Sequence, residues 1–187
     1  MLLAIDAPLG WPIPLRSIAQ HEAGRAIAAE ANAMFRRGTD RRIAERLGKQ
    51  SLDVGADRIA RTAHASLRLL EELRERTGNQ IPLAWSPSSL SGVSAIEVYP
   101  AASLRAWGVP SRPYKKPVQR SAREEILGAL PLVLGADALS EPVLGDADVL
   151  DAVICTLCAA DFIAGRCEPP LDDHEARVEG WIWVAVA

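Results

Sequence analysis

Two aspartates three residues apart, Asp148 and Asp151, stand inside the apolar stretch from Gly145 to Gly165. Val149, Leu150, Val153, Ile154, Leu157 and Ala160 leave that stretch almost no polar face, which predicts a buried helix packed on a sheet. Asp146 or Asp148 can cap its start, and Gly165 supplies the left-handed residue that ends it. A spacing of three places both carboxylates on one side. Buried carboxylates are paired, hydrogen-bonded or bound to metal. Two together repel, and a divalent cation keeps both ionised. Asp148 alone also reads as an exposed first-turn residue favoured by the helix dipole. That reading fits Asp151, deeper in the helix, much less well.

Two further carboxylates lie at the ends of apolar runs. Leu2 to Asp6, LLAID, has the continuous hydrophobicity of a central strand and ends in Asp6 before an Ala-Pro turn. Open sheets of parallel strands leave a crevice at such carboxyl ends, although Asp is also ordinary turn chemistry. Val93 to Tyr99 reads as a second strand, with Glu97 between Ile96 and Val98 and Pro100 as its stop. Glutamate in that setting needs either a partner or an exposed face.

The surrounding composition narrows the chemistry. With 187 residues, 49% hydrophobic and 24% charged, the chain suits one soluble domain, residues 1 to 187. Net charge is -3, but its distribution is uneven. Residues 100 to 123 carry Arg105, Arg112, Lys115, Lys116, Arg120 and Arg123 without one acid. Residues 36 to 49 add six basic residues against Asp40 and Glu45, whereas acids crowd the last third. A cationic, phosphate-attracting surface beside an acidic cation-binding centre is one reading, and solvated helix faces are the other. In the irregular loop after Arg112, Tyr114 is placed to stack and Lys115 to meet phosphate.

Other chemistries find little support. Three cysteines make no disulfide framework, and Cys155 and Cys158 read as small apolar residues of the central helix. Reduced thiols and the lack of a leader or membrane span suggest the cytoplasm. The serines of WSPSSLSG lack the strand-turn-helix setting of a nucleophile elbow. Neither a phosphate loop of Walker type nor a dinucleotide fingerprint is present.

Several elements must hold these groups in place. Residues 15 to 35 read as weakly amphipathic helix, and Thr39 is placed to cap a short basic helix ending near Gly48. Residues 56 to 77 form a clear amphipathic helix with His64 partly buried at its apolar stripe. A short helix spans 101 to 107, and Ser121 with Glu124 has capping-box spacing. Residues 166 to 177 read as a polar loop, where His174 beside Asp172 and Asp173 is only weak metal spacing. Gly180 to Val186 reads as a terminal strand.

In order, IDAPLGWP at Ile5 to Pro12, RGTD at Arg37 to Asp40, EVYPAASL at Glu97 to Leu104, Tyr114-Lys115, DVLDAVICTLCAADF at Asp148 to Phe162 and EGWIW at Glu179 to Trp183 resemble a known family. It is the family of predicted nucleases with an RNase H-like fold called domain of unknown function 429. The resemblance implies an α/β fold, a mixed sheet flanked by helices. It further implies that Asp6, Glu97, Asp148 and Asp151 converge on Mg²⁺ or Mn²⁺, as oxygen ligands would suit. Lys115, helped by Arg37, would bind or neutralise phosphate. Family members usually begin with an earlier strand bearing a Gly-Ile-Asp-like motif, which this chain lacks, so an N-terminally shortened sheet is expected. Its first strand would have an open edge, and a homodimer or rearranged N-terminus is expected to cover it. The function this implies is metal-dependent cleavage of DNA or RNA. The alternatives are a non-catalytic module binding nucleic acid or protein, and a hydrolase of a small phosphorylated metabolite.

Overall fold

The computed structural model describes residues 1–55, 57–110, 113–130 and 136–186. Strands β1 (Leu2–Ile5) and β2 (Ser94–Glu97) pair in parallel, Leu2 opposite Ser94 and Ile5 opposite Glu97. β2 is bonded on both sides. The Ser94 and Val98 amides donate to the Met1 and Ile5 carbonyls. On the other flank Ala84 donates to Ala95 and Trp183 to Glu97, at 2.8 and 3.0 Å. All four residues of β2 are buried. Among the described residues β1 is bonded on one side only, and alternation turns the backbone groups of Leu2 and Ala4 outward. Among the described residues no backbone partner meets them there.

Eight helices surround this small sheet among the described residues: α1 (Ala31–Phe35), α2 (Gly38–Leu47), α3 (Asp57–Thr77), α4 (Pro100–Ala106), α5 (Arg120–Ala129), α6 (Ala136–Gly145), α7 (Ala147–Ile163) and α8 (Asp173–Glu179). The architecture is mixed α/β, helices flanking a parallel pair. Side-chain alternation divides the sheet into two faces. Leu2, Ala4, Ile96 and Val98 meet Cys155, Cys158 and Phe162 of α7. Leu3, Ile5 and Ala95 meet Leu70 of α3 on the opposite face. α7 is sandwiched, because its Leu150 and Ile154 also pack against Leu104, Ile126 and Val143. A helix covered on both sides has no use for a polar stripe, which explains its composition. None of the described helices is long and apolar enough to cross a membrane.

Several local expectations change. Residues 15 to 35 are not one helix: a 3-10 segment runs from Ile13 to Gln20, and only Ala31–Phe35 is α-helical. The 3-10 segment buries no residue, so no packing supports its continuation. α2 begins at Gly38, one residue before Thr39, and the Asp40 carboxylate accepts from the Arg37 amide at 3.0 Å. Thr39 instead accepts the Ile182 amide through its hydroxyl, at 2.9 Å. α5 starts at Arg120 and carries no side-chain cap, so Ser121 and Glu124 form no capping box. The polar loop contains α8, whose N-cap Asp172 accepts from the His174 and Glu175 amides. His64 is exposed. The terminal segment is extended but divides its pairing, Ile182 bridging Glu97 and Ala185 bridging Cys167, so no continuous ladder forms.

Candidate functional site

The site begins with strand register. Ile5 lies opposite Glu97, so Glu97 shares the face of Ile5, while Asp6, one residue on, turns toward the face of Ala4. Adjacent carboxylates therefore separate. Glu97, 4% exposed, accepts two hydrogen bonds from the Arg37 guanidinium, Nη2 to Oε1 at 2.6 Å and Nη1 to Oε2 at 2.8 Å. The Leu9 amide adds a third at 2.9 Å. Arg37, 1% exposed, also bonds Asp40 through Nε at 2.9 Å. Burial pushes the Glu97 carboxyl up, and Arg37 with the Leu9 amide pulls it back. Burial works against the Arg37 charge, but Glu97 and Asp40 hold it above the usual arginine range. Arg37 does not lie on a phosphate-facing surface: its charge is consumed inside the fold.

This buried pair fixes the loop that follows β1. Glu97 holds Leu9, and Glu179 accepts the Ile13 amide at 2.6 Å and the Gly38 amide at 2.7 Å. Gly10 passes so close that a Cβ there would lie 2.3 Å from the Glu179 carbonyl carbon. Residue reasoning missed Glu179 and the partnership of Arg37 with Glu97. A charged residue between apolar neighbours signalled that a partner was needed, but not which one.

On the other face, Asp146 caps α7 by accepting from the Asp148 amide at 2.8 Å. Asp148 is exposed in the first turn, and among the described residues its carboxylate has no ion pair or hydrogen bond. Asp151, one turn deeper and 4% exposed, is committed. It accepts from the Tyr114 hydroxyl at 2.7 Å and forms an ion pair with the Lys115 ammonium. Tyr114 is itself 4% exposed, so it orients Asp151 and offers no stacking face. Burial, and then Asp6, push its phenol well above the usual range, leaving a neutral donor. Buried Arg123 anchors this loop by donating to the carbonyls of Tyr114 and Leu144 at 2.7 and 2.9 Å. Arg112 lies outside the described residues.

Asp6, Asp148 and Asp151 line one open groove of about 560 Å³ with Cys155 at its floor. Partial burial raises the Asp6 pKa, Lys115 lowers it, and Asp148 and Glu97 raise it further. Burial lifts the Cys155 thiol to about 12, so it is a protonated wall residue. Glu97 stays behind the strand with Arg37. Among the described residues no three acidic, histidine or cysteine side chains are arranged to hold a metal. Of the three carboxylates of this groove, Asp6 and Asp148 have no ion pair or hydrogen bond among the described residues. Mg²⁺ is often held by one or two carboxylates together with waters and substrate phosphate, which that pair fits.

The basic run on α2 is also largely spent. Arg41 pairs with Glu175, while Arg42 and Arg46 both pair with Glu168. These contacts dock α2 against the acidic C-terminal third.

The sequence model of the family described as "Protein of unknown function (DUF429)" matches residues 1–176. The chain belongs to the DUF429 family. No curated protein and no solved structure matches it. The DUF429 match takes in Asp6, Arg37, Glu97, Tyr114, Lys115, Asp148 and Asp151, and ends before Glu179.

Proposed function

We propose that this DUF429 chain is a metal-dependent phosphodiester hydrolase of RNase H-like type acting on DNA or RNA. The observation carrying the reading is that Asp6, past a parallel strand, and Asp148, in a helix first turn, line one groove, with Lys115 near enough to lower the Asp6 pKa. The RNase H-like reading is supported by a carboxylate-bearing helix covering one face of parallel strands. Asp6 and Asp148 would hold Mg²⁺ or Mn²⁺. A bound ion of this kind supplies Lewis-acid polarisation of a phosphoryl oxygen and an acidified water. Lys115 offsets the charge of an incoming phosphate, Asp151 holds the Lys115 ammonium at the groove, and Tyr114 orients Asp151.

The test is cleavage of single-stranded and duplex DNA and RNA with Mg²⁺, Mn²⁺ or chelator. Asp6→Asn and Asp148→Asn are each expected to lose more than about 100-fold, beyond the loss typical of a residue outside the ligand shell. Full activity in Asp6→Asn would remove the proposed site. A second reading, a non-catalytic nucleic-acid-binding module, is favoured by the commitment of Glu97 and Asp151 to internal partners. It predicts strongly salt-dependent binding without turnover.

A further inference from the structure

On the far side of Asp6 from α7 lies a second concavity of about 130 Å³, bounded by the loop after β1, by α3 and by Tyr99. We propose that this crevice is a subsite for one unpaired nucleobase of the substrate strand, held by Tyr99 and Leu52. The proposal rests on the phosphodiesterase reading, and it adds where the strand's base goes and which strand form is preferred.

Position is the first argument. The crevice opens beyond the carboxyl ends of β1 and β2, where parallel sheets accept ligands. Asp6 lines both it and the groove containing Asp148, so that carboxylate borders the two concavities. A strand with a phosphate between Asp6, Asp148 and Lys115 carries its adjoining base toward the crevice.

Chemistry is the second. Pro8, Leu52, Val54, Ile59 and Tyr99 make the walls largely apolar. Charges at the floor, Arg37 with Glu97 and Asp40, are buried and already satisfy one another. That floor attracts no phosphate, whereas the Lys115 side does. Leu52 is 68% exposed, an apolar side chain standing at the rim. Tyr99 sits between β2 and α4, half-buried, with part of its ring against Ile43, Ala102, Ile182 and Val184 and the rest lining the crevice.

Size is the third. Sites for whole drug-sized ligands run to roughly 300–1,000 Å³. This crevice admits a single ring system, not a complete nucleotide. A base can enter only when out of a duplex stack, and base–aromatic stacking tolerates any sequence. Single strands are therefore preferred, with little sequence dependence.

The experiment measures binding of a short single-stranded oligonucleotide by fluorescence anisotropy in Ca²⁺, and its cleavage in Mg²⁺, with one abasic residue scanned along it. Leu52→Asp, at a position 68% exposed, is expected to weaken binding about tenfold. Tyr99→Leu does the same, and Tyr99→Phe recovers the loss. One abasic position weakens wild type to the level of the variants and weakens the variants no further. Equal binding by wild type and Leu52→Asp, absence of any sensitive position, or a preference for duplex would each overturn the proposal. Should wild type neither bind nor cleave nucleic acid, the phosphodiesterase reading fails instead. Titration with adenosine or thymidine, followed by NMR, then decides the crevice alone: shifts at Tyr99 abolished in Leu52→Asp support it, and no shifts refute it.

Discussion

Arg37 shows how a side chain that looks like a ligand contact can instead be a keystone. Its guanidinium joins α2 to the end of β2 through Glu97 and to Asp40, and its Nη1 also donates to the Glu179 carbonyl at 3.1 Å. Removing one partner of a buried pair strands the other charge, at a cost of about 3–5 kcal/mol. Arg37→Met should lower unfolding free energy by that amount in urea titrations. An unchanged midpoint would mean that the pair is not formed in solution. Asp6 and Glu97 were both legible as notable carboxylates from their apolar neighbours. Their opposite facing was not, because it depends on the register of two strands far apart in sequence. Asp148 and Asp151 shared a face as spacing required, yet burial gave them different roles: one has no partner among the described residues, the other is held by Tyr114 and Lys115.

At the scale of elements, caps and apolar periodicity carried most of the information. α7 runs between Asp146, one of the two caps expected, and a left-handed Gly165, and α3 ends at a left-handed Gly78. α8 was hidden because its polar sequence has no stripe, and its start is set by Asp172. The two basic segments looked alike but do different things. On α2, Arg42 and Arg46 clamp Glu168 with 17% or more of each basic side chain exposed, whereas Lys115 is 56% exposed at the groove. Lys115→Ala should therefore reduce the salt slope of oligonucleotide binding by about one charge. Arg46→Ala should leave that slope alone and lower the urea midpoint. The reverse pattern would move the nucleic-acid surface to α2.

For the molecule as a whole, the mixed α/β class was legible, while the extent of the sheet was not. The C-terminal aromatic segment has strand composition, but its hydrogen bonds go to two different neighbours. The outer edge of β1 remains open among the described residues, with Leu2 and Ala4 presenting backbone groups. Such an edge is self-complementary to a second copy in antiparallel register. Sedimentation should show concentration-dependent dimers, and Ala4→Pro, which deletes an outward donor without touching the β2 ladder, should dissolve them. A wild-type monomer at all concentrations would exclude this interface.

The clamps on the loop after β1 also bear on how the protein is made. Leu9 waits for Glu97, 88 positions later, and Ile13 for Glu179, 166 positions later. During synthesis, the stretch bearing Asp6 stays without its braces until Glu97 and Glu179 have followed it. Contacts at such sequence distance form slowly, because closing long loops costs entropy before anything is gained. Nascent chains halted before α8 would thus expose this unbraced segment to chaperones and proteases, and competence would wait for Glu179.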